Sequence, residues 1–386
     1  MGKEPIPVSP EELEEILSRH FDASSSLNYA VKIVGHPGVG KSDIVRQVAR
    51  KKNCYFIDTR LAFKENVDLG GYPVPDHEGE RMVYYRPRFI PPRQIPEGYD
   101  GMVWFLDESN RAHPTVIQTL FQIITDGICG EHELPAGTHV VLAGNLGEED
   151  LTTITEFDDS ALDGRLAVFK LVPSAGQWLT WAHRNAIHPS IIRYITLYPE
   201  RLWSPSRINP NPRGWHQVSS TLRDVYGLES DRDLATFLAG SGTEVLEKVV
   251  MSLLGETAGH EFISELVTPR QITTENILEG NESALERLQE GEVPAEDLLW
   301  SLSGAVHHLT SRSAAAMGNL SREEQRELAN VLRFTAATRA DTRISFFFLI
   351  MKQSGILTAI PGAVRQYTDE DTGERILDLF ESFLHE

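Results

Sequence analysis

The stretch GHPGVGKS, formed by Gly35, His36, Pro37, Gly38, Val39, Gly40, Lys41 and Ser42, carries glycine, lysine and hydroxyl at the spacing of a Walker A phosphate loop. Backbone N–H groups of such a loop, and of the helix it opens through Asp43, can point at phosphate oxygens. Lys41 then reaches the outer phosphates, and Ser42 ligates magnesium. A second stretch, VWFLDES, sets Asp107 and Glu108 behind four apolar residues. An acid at the end of a buried strand can hold magnesium through Asp107, and Glu108 beside it can orient or deprotonate an attacking water. ATP with Mg2+ is therefore the expected ligand pair, and hydrolysis is favoured over binding alone. Asn145 ends a third apolar run, VVLAGN. A polar residue at the carboxyl edge of a parallel sheet faces the crevice where ligands bind, so it can touch the γ-phosphate or the water.

These residues need a sheet edge to meet on, and the pattern around them supplies one. YAVKIVG, Tyr29 to Gly35, is a β-branched run ending at the loop, and SDIVRQVARKK after it has helical spacing in Ile44, Val45, Val48 and Ala49. Further strands are expected at Cys54–Asp58, Met102–Asp107, Thr138–Asn145 and Leu166–Leu171. Their apolar composition suits strands buried on both faces of a parallel sheet with helical crossovers. Ahead of them, Ser9-Pro10-Glu11-Glu12 reads as a capped helix start. An α/β nucleotide-binding domain is expected over residues 1–172.

Beyond LVPSAGQW the strand rhythm stops, and helices alternate with proline-rich punctuation. A helical domain is expected at 173–266 and a further helical region at 267–386. In the latter, Ser321 to Glu324 forms a capping box, and Ile376, Leu379, Phe380, Phe383 and Leu384 share one helix face. The apolar run Ile344–Met351 is far shorter than the roughly 20 residues that cross a bilayer and reads as a buried helix.

The chain has 386 residues, of which 41% are hydrophobic and 24% charged, with a formal net charge of −20, the profile of a globular protein. Such charge repels nucleic acid and anionic membrane except at a local basic patch. Two cysteines are too few for a disulfide framework or a thiolate zinc site. A cytoplasmic setting is expected, since MGKEPIPVSPEELEE lacks the apolar core of a secretory signal and Ile6 breaks a myristoylation motif.

With these residues in hand, the chain resembles the AAA+ ATPases and, within them, the MoxR-like group. DESNRAHPTVIQTLFQIITDG is similar to that group's Walker B stretch, SALDGRLAVFKL to its arginine-finger segment, and NPNPRGWHQVS to the start of its sensor 2 helix. The likeness covers about residues 30–260. It implies an α/β core, a helical lid and a C-terminal helical extension. It further implies that Asn145 is sensor 1, that Arg165 is a finger reaching a neighbouring subunit's γ-phosphate, and that Arg213 is sensor 2 on the lid. Leu146 and Leu166 depart from residues common in the group, and Gly164 can loosen the finger loop. Assembly into a ring of six follows from the same likeness. So does remodelling of a protein client, often alongside a protein with a von Willebrand factor A domain.

The likeness also implies an insert, which Asn66–Pro92 fits, with a hairpin in PDHEGERMVYY. Arg81, Tyr84, Tyr85, Arg86, Arg88 and Arg93 make it the best basic and aromatic cluster, although the net charge opposes a nucleic-acid role. Two other readings stay open, an ATP-driven nucleic-acid motor and a nucleotide-gated scaffold with negligible turnover. His260 lacks the second histidine of a zinc-protease helix, and His307-His308 lacks a carboxylate at ligand spacing.

Overall fold

A computed structural model describes residues 4–23, 27–147, 164–240, 242–315, 320–339, 343, 346 and 354–384. Ser160–Asp163 of the arginine-bearing segment and most of Ile344–Met351 lie outside the described residues. The chain divides into two compact units. The first comprises Met1–Trp181, Glu200–Val218 and Leu253–Gly255, and the second Ala182–Pro199, Ser219–Ser252 and Glu256–Glu386. The segment expected as a separate lid, 173–266, thus contributes to both.

In the first unit, strands β1 (Ile6–Val8), β2 (Ala30–Val34), β3 (Cys54–Arg60), β6 (Gly101–Asp107), β9 (Thr138–Gly144) and β10 (Leu166–Leu171) form one sheet. Its order is β1-β10-β2-β9-β6-β3, and every neighbouring pair is parallel. Parallel neighbours need crossovers, and the expected α/β architecture is the one found. Alternate residues of each strand serve opposite faces. Val31, Ile33, Val103, Phe105, Val141 and Ala143 pack with α1 (Pro10–Phe21) and α2 (Lys41–Lys51). Val34, Trp104, Leu106, Leu142 and Val168 pack with α4 (Pro114–Asp126) on the other face. Burial on both faces explains why β2, β6 and β9 read as continuous apolar runs.

Helix starts follow local chemistry. Ser9 Oγ accepts from Glu12 N at 3.2 Å while Ser9 N donates to the Glu12 carboxylate at 2.8 Å, the reciprocal cap expected for α1. Pro114 opens α4, and Gly127 at φ 66° closes it. The insert carries a short helix α3 (Asn66–Gly70) and an antiparallel hairpin of β4 (Pro73–Asp76) and β5 (Arg81–Tyr84). A two-residue ladder, β7 (Ile128–Cys129) with β8 (His132–Glu133), follows α4.

Among the described residues, the regular elements of the second unit are all helices. Its core gathers Ile272, Ile277, Leu298, Leu302, Leu328, Phe334, Ile360 and Ile376, with Leu379 packed against it. The reciprocal cap of Ser321 and Glu324 is present, at 3.3 and 2.7 Å. Arg270 is buried between Glu265 and Asp297, and the Trp300 ring lies beneath both Arg193 and Arg270, at 5.0 and 5.1 Å. Burial of two guanidiniums is tolerated here because each has a carboxylate partner and a ring face. No helix of the described residues is long and apolar enough to cross a membrane.

Candidate functional site

The sheet register decides which residues meet. Val34 lies opposite Gly144 across β2 and β9, and Leu106 opposite Leu142 across β6 and β9. The carboxyl ends of three strands therefore share one edge, and each hands its next residues to the site. After β2 the chain turns through Gly38 and Gly40, at φ 80° and 98°, a region that glycine enters without penalty. Helix α2 starts at Lys41 with no side-chain cap on its free N–H groups. A β-carbon on Gly40 would meet nothing within 4 Å. An uncapped helix N-terminus facing open space behind a glycine loop suits an anion.

Lys41 is 8% exposed, and its ammonium donates to the carbonyls of Gly35 and His36 at 2.5 and 3.0 Å and to Asn145 Oδ1 at 3.2 Å. Those three oxygens hold the cation at the loop's centre. Ser42 Oγ lies 3.4 Å from Asp107 Oδ2, which pairs a hydroxyl with a carboxylate across α2 and β6. Hard oxygen donors in that number suit magnesium, which usually keeps waters and phosphate oxygens as its other ligands. Among the described residues, no group of three or more His, Cys, Asp or Glu is placed to hold a metal.

Glu108 adopts the left-handed conformation, φ 55°, and its N–H donates to Asp107 Oδ1 at 2.8 Å. Such a backbone is strained for a non-glycine residue. Its Oε2 is buried without a hydrogen-bond partner, 3.7 Å from the Arg111 guanidinium. An unsatisfied buried carboxylate oxygen is costly unless a ligand or water completes it. Asp58, on the same sheet face as Asp107, has its carboxyl pushed above the usual range by burial and then by the Asp107 charge, against the pull of Arg46 and Arg60. It was missed in the sequence, where CYFID showed only a strand.

The loop also touches the chain after residue 200. Arg213 N donates to Gly38 O at 3.1 Å, and the Trp203 ring meets His36 edge-on at 5.3 Å. Asn211 caps the helix Pro212–Ser220 through Gly214 N at 2.9 Å and lies against Gly38. The Asn-Pro pair at that helix start was the available signal. Val39 is buried, whereas Asp43 is exposed and pairs with Arg46 at 3.8 Å.

Arg165 is elsewhere. Leu166 pairs with Ala30 at the start of β2, four residues before Val34, so Arg165 sits at the amino edge, about 13 Å or more from the loop by strand rise. Its guanidinium lies 4.6 Å over the Phe121 ring.

Of the insert's cations, Arg86 donates to Pro91 O and to Glu133 O, the latter at 2.9 Å, and Arg81 pairs with Asp76 at 3.2 Å. Tyr72, Met82 and Tyr85 are exposed. His260 bonds Glu247 at 2.6 Å, and His308 lies 3.5 Å from Glu327.

No family model matches the chain, and no curated protein matches it. Among solved structures it is similar to NtrX from Brucella abortus in complex with ADP, at 15% identity over 83% of this chain and 68% of that one, with a TM-score of 0.37. The same protein in complex with ATP gives 14% identity, 69% and 70% coverage and a TM-score of 0.34. A putative ATPase from Cytophaga hutchinsonii gives 12%, 79%, 75% and 0.30. None is close, and the α/β assignment rests on this chain's own strand order.

Proposed function

We propose that the chain is an ATP-hydrolysing, Mg2+-dependent protein of the MoxR-like AAA+ type, working as a ring that remodels or activates a protein client. The observation that carries this reading is the Lys41 ammonium, bonded both to its own loop and to Asn145, with Asp107 and Glu108 at the same edge. Bound ATP with magnesium would supply the transferable phosphoryl group and the divalent charge. Lys41 and the α2 N-terminus would hold phosphate oxygens, and Ser42 and Asp107 would hold the cation. Glu108 takes the proton of the attacking water, which fits its unsatisfied oxygen. Asn145 bridges Lys41 and the outer phosphate.

Arg165 serves the site of a neighbouring copy, since it stands at the wrong edge for its own. Arg213, whose backbone bonds Gly38, relays nucleotide state to the chain beyond the loop. The exposed Tyr72, Met82 and Tyr85 of the insert suit contact with protein, either another copy in a ring of six or a client that a von Willebrand factor A domain partner presents. A cytoplasmic setting fits the two free, buried cysteines.

The test is phosphate release by the purified chain with Mg2+ and ATP, followed by pull-down with Glu108→Gln. Expected are turnover in the parent, loss of ~100-fold or more in the variant with ATP still bound, and a client or adaptor held by the trapped ring. No turnover in the parent, with Glu108→Gln indistinguishable from it, would replace this reading by the scaffold. Turnover that rises with single-stranded DNA or RNA would favour the motor, which the engagement of Arg81 and Arg86 opposes.

A further inference from the structure

We propose that Asn110 is a positioning residue for Asn145, acting through a reciprocal clamp on its main chain. The inference rests on the hydrolase reading above. Asn110 Nδ2 donates to Asn145 O at 2.6 Å, and Asn145 N donates to Asn110 Oδ1 at 3.2 Å. Only a carboxamide offers a donor and an acceptor side by side without charge, so the residue type is demanded by the pair of contacts. The peptide planes on both sides of Asn145 are thereby fixed by one side chain.

Two neighbouring features belong to the same device. Ser109 Oγ donates to Ala143 O at 2.8 Å, so consecutive residues after the acid pair bond the end of β9. A β-carbon on Gly144 would stand 2.7 Å from Asn110 Oδ1, which leaves room there for glycine alone. The turn that carries Glu108 and the turn that carries Asn145 are therefore one rigid piece. Lys41 closes it from the third side, through Asn145 Oδ1 at 3.2 Å. Geometry set this way places the Asn145 carboxamide before any phosphate arrives, and preorganised polar groups cost no reorganisation during reaction.

The consequence is specific. Loss of the clamp leaves Asn145 chemically intact but free to miss the outer phosphate, so it impairs what depends on that phosphate and spares what does not. The experiment is a double-mutant cycle of Asn110→Ala and Asn145→Ala in the full chain. It reads kcat for phosphate release and the dissociation constants of Mg-ATP and Mg-ADP. Expected for Asn110→Ala are a ~10-fold lower kcat, ADP affinity within ~2-fold of the parent, and no further loss in the Asn145→Ala background. Asn110→Asp keeps the acceptor but sets a carboxylate oxygen against a carbonyl, and is expected to be as impaired as alanine. Equal losses in both backgrounds, a parallel fall in ADP affinity, or full activity of Asn110→Asp would overturn the proposal. Should the parent release no phosphate, the hydrolase reading fails on its own. The clamp is then read from binding: an ADP-to-ATP affinity ratio changed alike by Asn110→Ala and Asn145→Ala upholds it, and an unchanged ratio overturns it.

Discussion

Asn211 packs so tightly on Gly38 that a β-carbon on the glycine would stand 2.5 Å from its Oδ1. The same oxygen caps Gly214 N, so it has no freedom to retreat without uncapping the helix that carries Arg213. Gly38 also sits at φ 80°, where an L-residue costs about 1–2 kcal/mol. Gly38→Ala is therefore expected to weaken nucleotide binding by ~10-fold or more and to lower Tm. Adding Asn211→Ala removes the clash at the cost of a cap worth about 1 kcal/mol, and is expected to restore part of the binding. Titration with a fluorescent ATP analogue checks both, and a double variant no better than Gly38→Ala would show that the contact with Asn211 carries nothing.

A buried chain of hydrogen bonds ties β6 to the insert. Trp104 Nε1 donates to Thr59 Oγ1 at 3.0 Å, and Thr59 Oγ1 donates to Phe89 O at 2.8 Å, with Trp104 fully buried. Thr59→Val keeps the shape and strands the indole N–H, which costs about 1–3 kcal/mol. Thr59→Ser keeps the hydroxyl and is expected to lose much less. Thermal unfolding of the pair gives the comparison, and equal Tm losses would mean that methyl packing, rather than the relay, is what Thr59 supplies.

How much of this was legible in the residues follows from what each feature depends on. Strands β2, β6 and β9 showed as apolar runs because both faces of each are covered, and the partly exposed β3 and β10 showed through their aromatic and β-branched residues, all five within two residues of their observed ends. β1 did not, since three residues containing Pro7 give no run, and it exists by pairing with β10. Strand order was equally hidden, because β9 lies between β6 and β2, and its pairing with β2 sets Val31 opposite Val141, over a hundred residues along the chain. Lys41, Ser42 and Asp107 were legible because their spacing is local to one loop and one strand end. Asn110 stood in plain view within DESNRA, yet its partner is a peptide group 35 residues away, which no spacing rule announces.

The second unit is expected to lose stability in mild acid. His188 and His307 have ring pKa values lowered to about 4, in each case first by burial. Around His188 stand Asp231 and Glu229, which favour the charged ring, and Arg223 and Arg193, which oppose it. His307 faces His183, Arg193 and His188 against Asp231. The unfolded rings take up protons below about pH 6.5 while the folded ones stay neutral to about 4, so the stability these two rings contribute falls as pH falls through that window and is constant above about pH 7. The slope is about 1.4 kcal/mol per pH unit for each such histidine. His188 Nδ1 accepts from Ser190 N at 3.2 Å, a cap that asparagine can replace. His188→Asn is therefore expected to flatten Tm against pH between 6.5 and 5 whatever it does to Tm at pH 7.5, and an unchanged slope would refute the assignment.

The position of Arg165 makes a claim that mixing can test. Its backbone is fixed by Ala30 N, which donates to Arg165 O at 3.0 Å, and its side chain lies on Phe121, at the edge opposite Lys41. A side chain anchored there cannot reach the loop of its own chain, so any help it gives to phosphoryl transfer goes to another copy. Arg165→Ala is expected to bind ATP normally and to lose ~10³-fold or more in turnover. Lys41→Ala, which removes the loop's cation, is expected to lose binding as well. Mixed and reassembled in equal amounts, the two inactive chains should recover activity. In a head-to-tail ring with random order, about a quarter of the interfaces join an intact loop to an intact Arg165. Phosphate release by the mixture decides the matter: no recovery, with rings shown to contain both chains, would remove Arg165 from the site and leave it as a cation stacked on Phe121.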